Sequence, residues 1–239
     1  MTTPHDITAE IAPEIFDSVP TYTRTVLTAT MPDTLRADAA TVVTDALADA
    51  TAQHRDVTDV LEVPAVDAWR SAFRDVGIAP AKYRPSVEAL LRRAAKGTPP
   101  ATGRPLVDLG TAVSLSALCP VGIHVVDDLP PTSRLSLRQA RGTETFIDFT
   151  GDTTHPEPGE VVYTTDDTVL TRRWVWRQGL TGSLTPAARY LAINLDHLDT
   201  APSPHALDLL VTLLEKLGAL VDHAVDLTSG SPAHQLTWV

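Results

Sequence analysis

Between residues 135 and 177 the chain breaks into short strand-like stretches, each closed by a turn signal, and this run most constrains the fold. Residues 135–140, 144–149, 160–164 and 169–177 carry the apolar and Thr-rich alternation of strands. Arg141-Gly142, Gly151-Asp152, residues 156–159 and Asp166-Asp167 separate them as turns. Strands so short and so closely joined form a meander or a small barrel. On either side the period changes. Upstream, residues 32–55, 66–76 and 106–118 read as helices, and 22–31 and 121–126 as strands. Downstream, 188–195 is a further strand. Residues 204–225 then form a long amphipathic helix, with Leu207, Leu210, Val211, Leu214 and Leu217 on its stripe. Helices with a strand, then a sheet, then a closing helix is the order of an α+β fold, with a β-rich core sheet or small barrel flanked by helices.

Residues 77–97 form the best-marked single unit. Pro80 and Pro85 stiffen the approach, and Pro85 suits a first helical turn because its missing N–H would be unpaired there. Val87, Leu90, Leu91 and Ala94 make one apolar stripe, and Gly97 with Pro99-Pro100 stops the helix. The other side is basic, with Arg92, Arg93 and Lys96 preceded by Lys82 and Arg84. That runs against the chain as a whole, whose net charge is −11. Residues 70–104 hold 8 Lys/Arg against 2 Asp/Glu, whereas residues 1–69 hold 3 against 12. A nucleic acid would therefore meet a local patch, because the overall field repels it.

The single cysteine, Cys119, excludes an intrachain disulfide and a cysteine zinc cluster, which fits a reducing cytoplasm. The first ten residues lack the pattern of a signal peptide, and no uncharged apolar run is long enough to cross a bilayer. Phosphate-binding loops, G-x-G-x-x-G, G-x-S-x-G and H-E-x-x-H are all absent. The acidic pairs Asp127-Asp128 and Asp166-Asp167 read as solvated turns, so neither a metal nor a cofactor is expected.

Four segments carry a resemblance. They are residues 77–86 (GIAPAKYRPS), 106–109 (LVDL), 120–122 (PVG) and 172–178 (RRWVWRQ), with GEVVY at 159–163 between the last two. The pattern resembles freestanding B3/B4 domain proteins, relatives of the tRNA-binding and editing domain of the phenylalanyl-tRNA synthetase beta subunit. The resemblance implies a domain over 66–226, with residues 1–65 packed on its core, and the Ser/Gly/Pro-rich residues 227–239 read as a flexible tail. It also implies a central pocket that hydrolyses mischarged aminoacyl-tRNA. Gly122 falls where that module carries its editing histidine, His124 lies two positions later, and Gln178 replaces its selecting glutamate.

Strand alternation puts Arg172, Trp174, Trp176 and Gln178 on one face, a stacking platform for a base or an aromatic side chain. His124 is the best-placed general base or water-orienting group. The expected site thus has His124 and Gln178 at the chemistry and Trp174, Trp176, Tyr83, Arg172 and Glu144 around the substrate. Lys82, Arg84, Arg92, Arg93 and Arg173 would hold phosphates. Three activities fit: deacylation of mischarged tRNA in trans, non-catalytic binding of tRNA or of a small amino-acid-like ligand or dipeptide, and acyl transfer from aminoacyl-tRNA. No membrane partner is expected.

Overall fold

The computed structural model describes residues 6–198 and 204–238. Within these, the N-terminal third holds β1 (Thr8–Ile11), α1 (Pro13–Ser18), β2 (Thr23–Thr30), α2 (Ala39–Ala52), α3 (Pro64–Asp75) and α4 (Ser86–Ala94). Then follow α5 (Pro105–Ala117), β3 (Val121–Val125), β4 (Arg134–Gln139), β5 (Phe146–Ile147), β6 (Thr153–Thr154), β7 (Val161–Thr165), β8 (Thr168–Arg172) and β9 (Arg177–Gln178). The chain closes with β10 (Tyr190–His197), α6 (Pro204–Leu217), β11 (Leu220–Val221), β12 (Val225–Leu227) and β13 (Ala233–Gln235). The fold is α+β.

Two open sheets carry the architecture. One runs β13-β1-β4-β7-β8-β9; the other runs β11-β2-β10-β3, with β12 also on β2; β5 and β6 pair separately. The meander expected from the turn spacing is present as β4-β7-β8-β9, and the sheets do not close into a barrel. Strands β2 and β10 pair antiparallel along their full length, from Tyr190↔Thr30 to His197↔Thr23, and β3 pairs with β10 on its other side. Every residue of β2 and β10 is buried, so both faces of this sheet are covered.

The two faces differ in chemistry, and the period of two separates them. Leu27, Ala29, Ile123, Leu191, Ile193 and Leu195 join one core with residues of α2, α5 and α6. Val26 and Ala192 belong instead to the core shared with the first sheet and α3. On their side of the sheet also lie Arg24, Gly122, His124, Asn194 and Asp196, as the register requires. The second sheet is thus oily toward its helices and polar toward the other sheet.

Helix α4 forms as its stripe predicts. Val87, Leu91 and Ala94 are fully buried. Burying a Val or Leu side chain contributes about 1.5–3 kcal/mol. Gly97 follows at φ +74, the left-handed conformation that ends helices.

The 1–65 segment, expected to pack on the core, supplies β1, which pairs with β4 and β13, and β2, an interior strand of its sheet. Two expectations change. The tail expected to be flexible begins with Leu227, the last residue of β12 on β2, and forms β13, which pairs with β1. The stretch 144–149 yields only the two-residue β5, because Glu144 caps a loop with its side chain and leaves ladder geometry.

Candidate functional site

A cavity of about 120 Å³ opens between the polar face of the second sheet and the β8–β9 connection. Its floor is the buried set Arg24, His124, Asn194 and Asp196. Its rim includes Gly122, Gln178, Trp176 and Ser86, the last at the N-terminus of α4.

One carboxylate organises the floor. Asp196 Oδ1 accepts from Arg24 Nε at 2.8 Å and from the Tyr22 hydroxyl, and Oδ2 accepts from Asn194 Nδ2 at 2.8 Å. Burial pushes the Tyr22 phenol well up, with Asp196 adding to the shift, so it stays a donor. Burial works against the Arg24 charge, but Asp196 together with Tyr22 and Tyr163 outweighs it and the guanidinium is held more firmly charged than usual. Arg24 also lies over the Tyr163 ring, 4.5 Å from its centroid, and burial pushes that phenol up to about 12.

These contacts leave atoms without protein partners. Arg24 Nη1, Asn194 Oδ1 and His124 Nδ1 are buried and make no hydrogen bond within the protein. The Asn194 assignment follows from chemistry, because only its NH₂ can donate to Asp196. Leaving such groups unpaired costs about 1–3 kcal/mol each, so the arrangement favours a polar occupant.

Gly122 makes room for this floor. A Cβ there would lie 2.6 Å from Asn194 Oδ1 and 3.0 Å from His124 Nε2. The His124 ring packs 5.0 Å from that of Tyr163. Burial, followed by the nearby Arg24 charge, lowers its pKa to about 3. The imidazole is therefore neutral near pH 7 and too weakly basic for general-base work. That corrects one of the two roles expected for it, and orienting water remains. Gln178 Nε2 donates to Ile123 O at 3.1 Å, which fastens β9 to β3 at the rim.

The expected tryptophan platform does not exist. Arg173 and Trp174 adopt φ +47 and +63, so the chain turns after β8 and comes back as β9, pairing Thr171 with Gln178. Consecutive left-handed residues cost of order 1–3 kcal/mol each and persist only where their surroundings hold them. Here Trp174 provides the hold. It is buried among Tyr22, Trp69 and Phe73, with ring centroids 5.0, 5.3 and 6.2 Å away. Trp176 stands apart at the rim, edge-on to Tyr83 at 4.8 Å. Both indoles line the cavity, from different places and without a shared face.

Other expected site residues have different duties. Arg172 and Arg173 both bind Glu160, at 2.6 and 3.2 Å, and the Arg173 guanidinium lies 3.8 Å from the centre of the Tyr83 ring. Arg173 is buried, so it does not present its charge to phosphate. Tyr83 covers this pair and the Trp176 edge; it does not line the cavity. Glu144 is also buried away from it. Burial works to raise its pKa, but N–H donors from Arg141 and the Arg138 guanidinium hold it down at about 2. It is a structural cap. Of the basic group around α4, Arg92 is tied to the buried Glu88 at 2.9 Å, together with Arg70 at 2.9 Å and Arg84 at 3.7 Å. Lys82, Arg84, Arg93 and Lys96 present exposed charge. Among the described residues no His, Cys, Asp or Glu group could hold a metal ion, and no helix is long and apolar enough to cross a membrane. Cys119 is buried, and burial pushes its thiol far up, so it is no nucleophile.

Sequence reasoning missed Arg24, Asn194, Asp196 and Tyr163. A signal existed: Asn194 and Asp196 stand two apart in an otherwise apolar strand, and Arg24 interrupts another. Charged residues at buried strand positions need partners, and here they are one another's.

Comparison with known proteins places the chain in a family. No curated protein matches the chain. Among solved structures, one similar to it is an N-terminal fragment of the phenylalanyl-tRNA synthetase beta subunit from Pyrococcus horikoshii. The two share 11% identity and a TM-score of 0.41, over 95% of this chain and 55% of that one. The chain thus spans about half the length of that fragment. The B3/4 domain model matches residues 68–217, which include His124, Gln178, Asn194 and Asp196 but leave out Arg24. The chain belongs to the B3/4 domain family.

Proposed function

We propose that the cavity receives the aminoacyl end of a charged tRNA and that the protein hydrolyses its ester in trans. The observation that carries this reading is the set of buried, unpaired polar atoms on the floor of a cavity whose lining, Arg24 apart, lies within the family-matched residues. A tRNA is far too large to enter, so the ester stops at the rim near Gly122, Gln178 and Ser86 while the side chain points inward. The exposed Lys82 and Arg84 precede α4, whose first residue Ser86 is part of the rim, and with Arg93 in the last turn of that helix they would meet the phosphates.

The chemistry asked of the site is modest. Water attacks the ester carbonyl carbon, a tetrahedral oxyanion forms, and it collapses with cleavage of the bond to the ribose oxygen. The leaving oxygen takes the proton that water gives up. Neutral His124 orients the water as a hydrogen-bonding partner and takes no proton itself. Positioning therefore supplies the acceleration, and the rate shows no inflection near pH 6.5.

The test is deacylation of a panel of aminoacyl-tRNAs, correctly and wrongly charged, by the purified chain. Selective release of one class of amino acid, with strong salt dependence, supports the reading. Release of none from a folded protein overturns hydrolysis.

A further inference from the structure

The floor of the cavity specifies its ligand more narrowly than the family does. Arg24 Nη1 is a buried donor without an acceptor, and Asn194 Oδ1 is a buried acceptor without a donor. Both line the same cavity, and both side chains are fixed by the two oxygens of Asp196. Neither can rotate to find a partner elsewhere without breaking that anchor. Their complement is a group that accepts one hydrogen bond and donates another. A hydroxyl does both with one oxygen.

Other chemistries fit less well. A carboxylate would satisfy Arg24 but turn negative oxygens toward Asn194 Oδ1 and the Asp196 carboxylate. An ammonium would satisfy Asn194 and face the Arg24 cation. An aliphatic end leaves both atoms unpaired. Size restricts the choice further. The cavity holds about 120 Å³. An enclosed cavity of about 150 Å³ takes a benzene ring, so this smaller space suits an aliphatic hydroxyl better than a phenol.

We propose that this site selects a small hydroxylated aminoacyl side chain, seryl or threonyl in type, with Arg24 and Asn194 as its specificity-determining residues. The proposal rests on the reading that the cavity takes an aminoacyl group. Arg24 lies on β2, outside the family-matched residues, so the N-terminal strand contributes the donor half of this recognition.

The test is calorimetric binding of amide-linked aminoacyl-adenosine analogues, which cannot be hydrolysed, to the full chain. Seryl, threonyl, alanyl, asparaginyl, aspartyl and tyrosyl analogues are compared. The seryl or threonyl analogue is expected to bind about 10- to 100-fold more tightly than the alanyl one. Asn194→Ala, if folded by circular dichroism, is expected to lose that preference while still binding the alanyl analogue. An alanyl analogue that binds as well as seryl overturns the proposal, as does tighter binding of the asparaginyl, aspartyl or tyrosyl analogue. Persistence of the preference in Asn194→Ala overturns it too. Hydrolysis without hydroxyl preference defeats this proposal and leaves deacylation standing. Hydroxyl-selective binding without turnover does the reverse.

Discussion

Burial of His124 makes the stability of the whole protein depend on pH in a defined way. Its pKa is about 3 in the folded chain against an ordinary 6.5, because burial and then the Arg24 charge oppose the imidazolium. Arg24 and the Tyr163 ring face it, and the Asp196 carboxylate that shares its cavity is already committed to Arg24. The sign follows from a lowered histidine pKa. Below pH 6.5 the unfolded chain takes up a proton that the folded chain refuses, so stability is full above 6.5 and is lost as pH falls toward 3. From pH 7 to pH 5 the loss is about 2 kcal/mol, close to 1.4 kcal/mol for each pH unit below 6.5. For a chain of this size that corresponds to roughly 4–8 °C in melting temperature. Other histidines and carboxylates also titrate, so the assay compares denaturant unfolding of wild type and His124→Gln at pH 7, 6 and 5. The wild type should lose about 2 kcal/mol more than the variant over that range. Parallel curves would refute the burial argument, as would an NMR titration of His124 with a midpoint near 6.5.

Further outcomes follow from other contacts. Glu144→Gln should destabilise the chain by about 1–3 kcal/mol in denaturant titration, through its loop N–H groups and Arg138. The wild type should lose that contribution as pH falls from 4.5 toward 2, whereas ligand affinity should be unchanged by the substitution at pH 7. Asp196→Ala leaves the Arg24 charge buried and unpaired and should cost about 3–5 kcal/mol, read by thermal and chemical unfolding. A Lys82→Glu/Arg93→Glu double variant should weaken tRNA binding and flatten its dependence on salt, measured by filter binding. Arg173→Gln should leave that salt slope unchanged, because Arg173 is buried against Glu160.

The sequence made some parts of this molecule legible because local physics settles them. The α4 stripe, its proline entry and its glycine exit act within a few residues. So do the turns that cut β4, β7 and β8 apart. The arginine–tryptophan segment misleads for the same reason. Its alternation is that of a strand, yet the four-residue turn from Arg173 to Trp176 is dictated by the slot between Tyr22, Trp69 and Phe73 that holds Trp174. Those partners come from two distant places in the chain, Tyr22 just before β2 and Trp69 with Phe73 on α3. The floor of the site was hidden likewise. Arg24 and Asp196 are 172 residues apart, and only the full-length pairing of β2 with β10 brings them together. Gln178 was found because it falls where the resembling module carries its selecting glutamate, and His124 from its place on a buried strand, whereas Arg24 lies outside the family-matched residues.

The central claim is that the chemistry occurs in this cavity, and Gly122→Ala tests it most directly. The added methyl would sit 2.6 Å from Asn194 Oδ1 and 3.0 Å from His124 Nε2, and Asn194 cannot yield without releasing Asp196. Overpacking of this kind costs about 1–3 kcal/mol, which the fold can bear. The measurement is single-turnover release of the amino acid from the best aminoacyl-tRNA substrate, wild type against variant, with folding checked by circular dichroism. The account predicts a fall of at least about 100-fold in a folded variant, because the side chain can no longer seat and the ester is displaced from its water. An unchanged rate in a folded variant would place the reaction elsewhere on the protein and contradict the account.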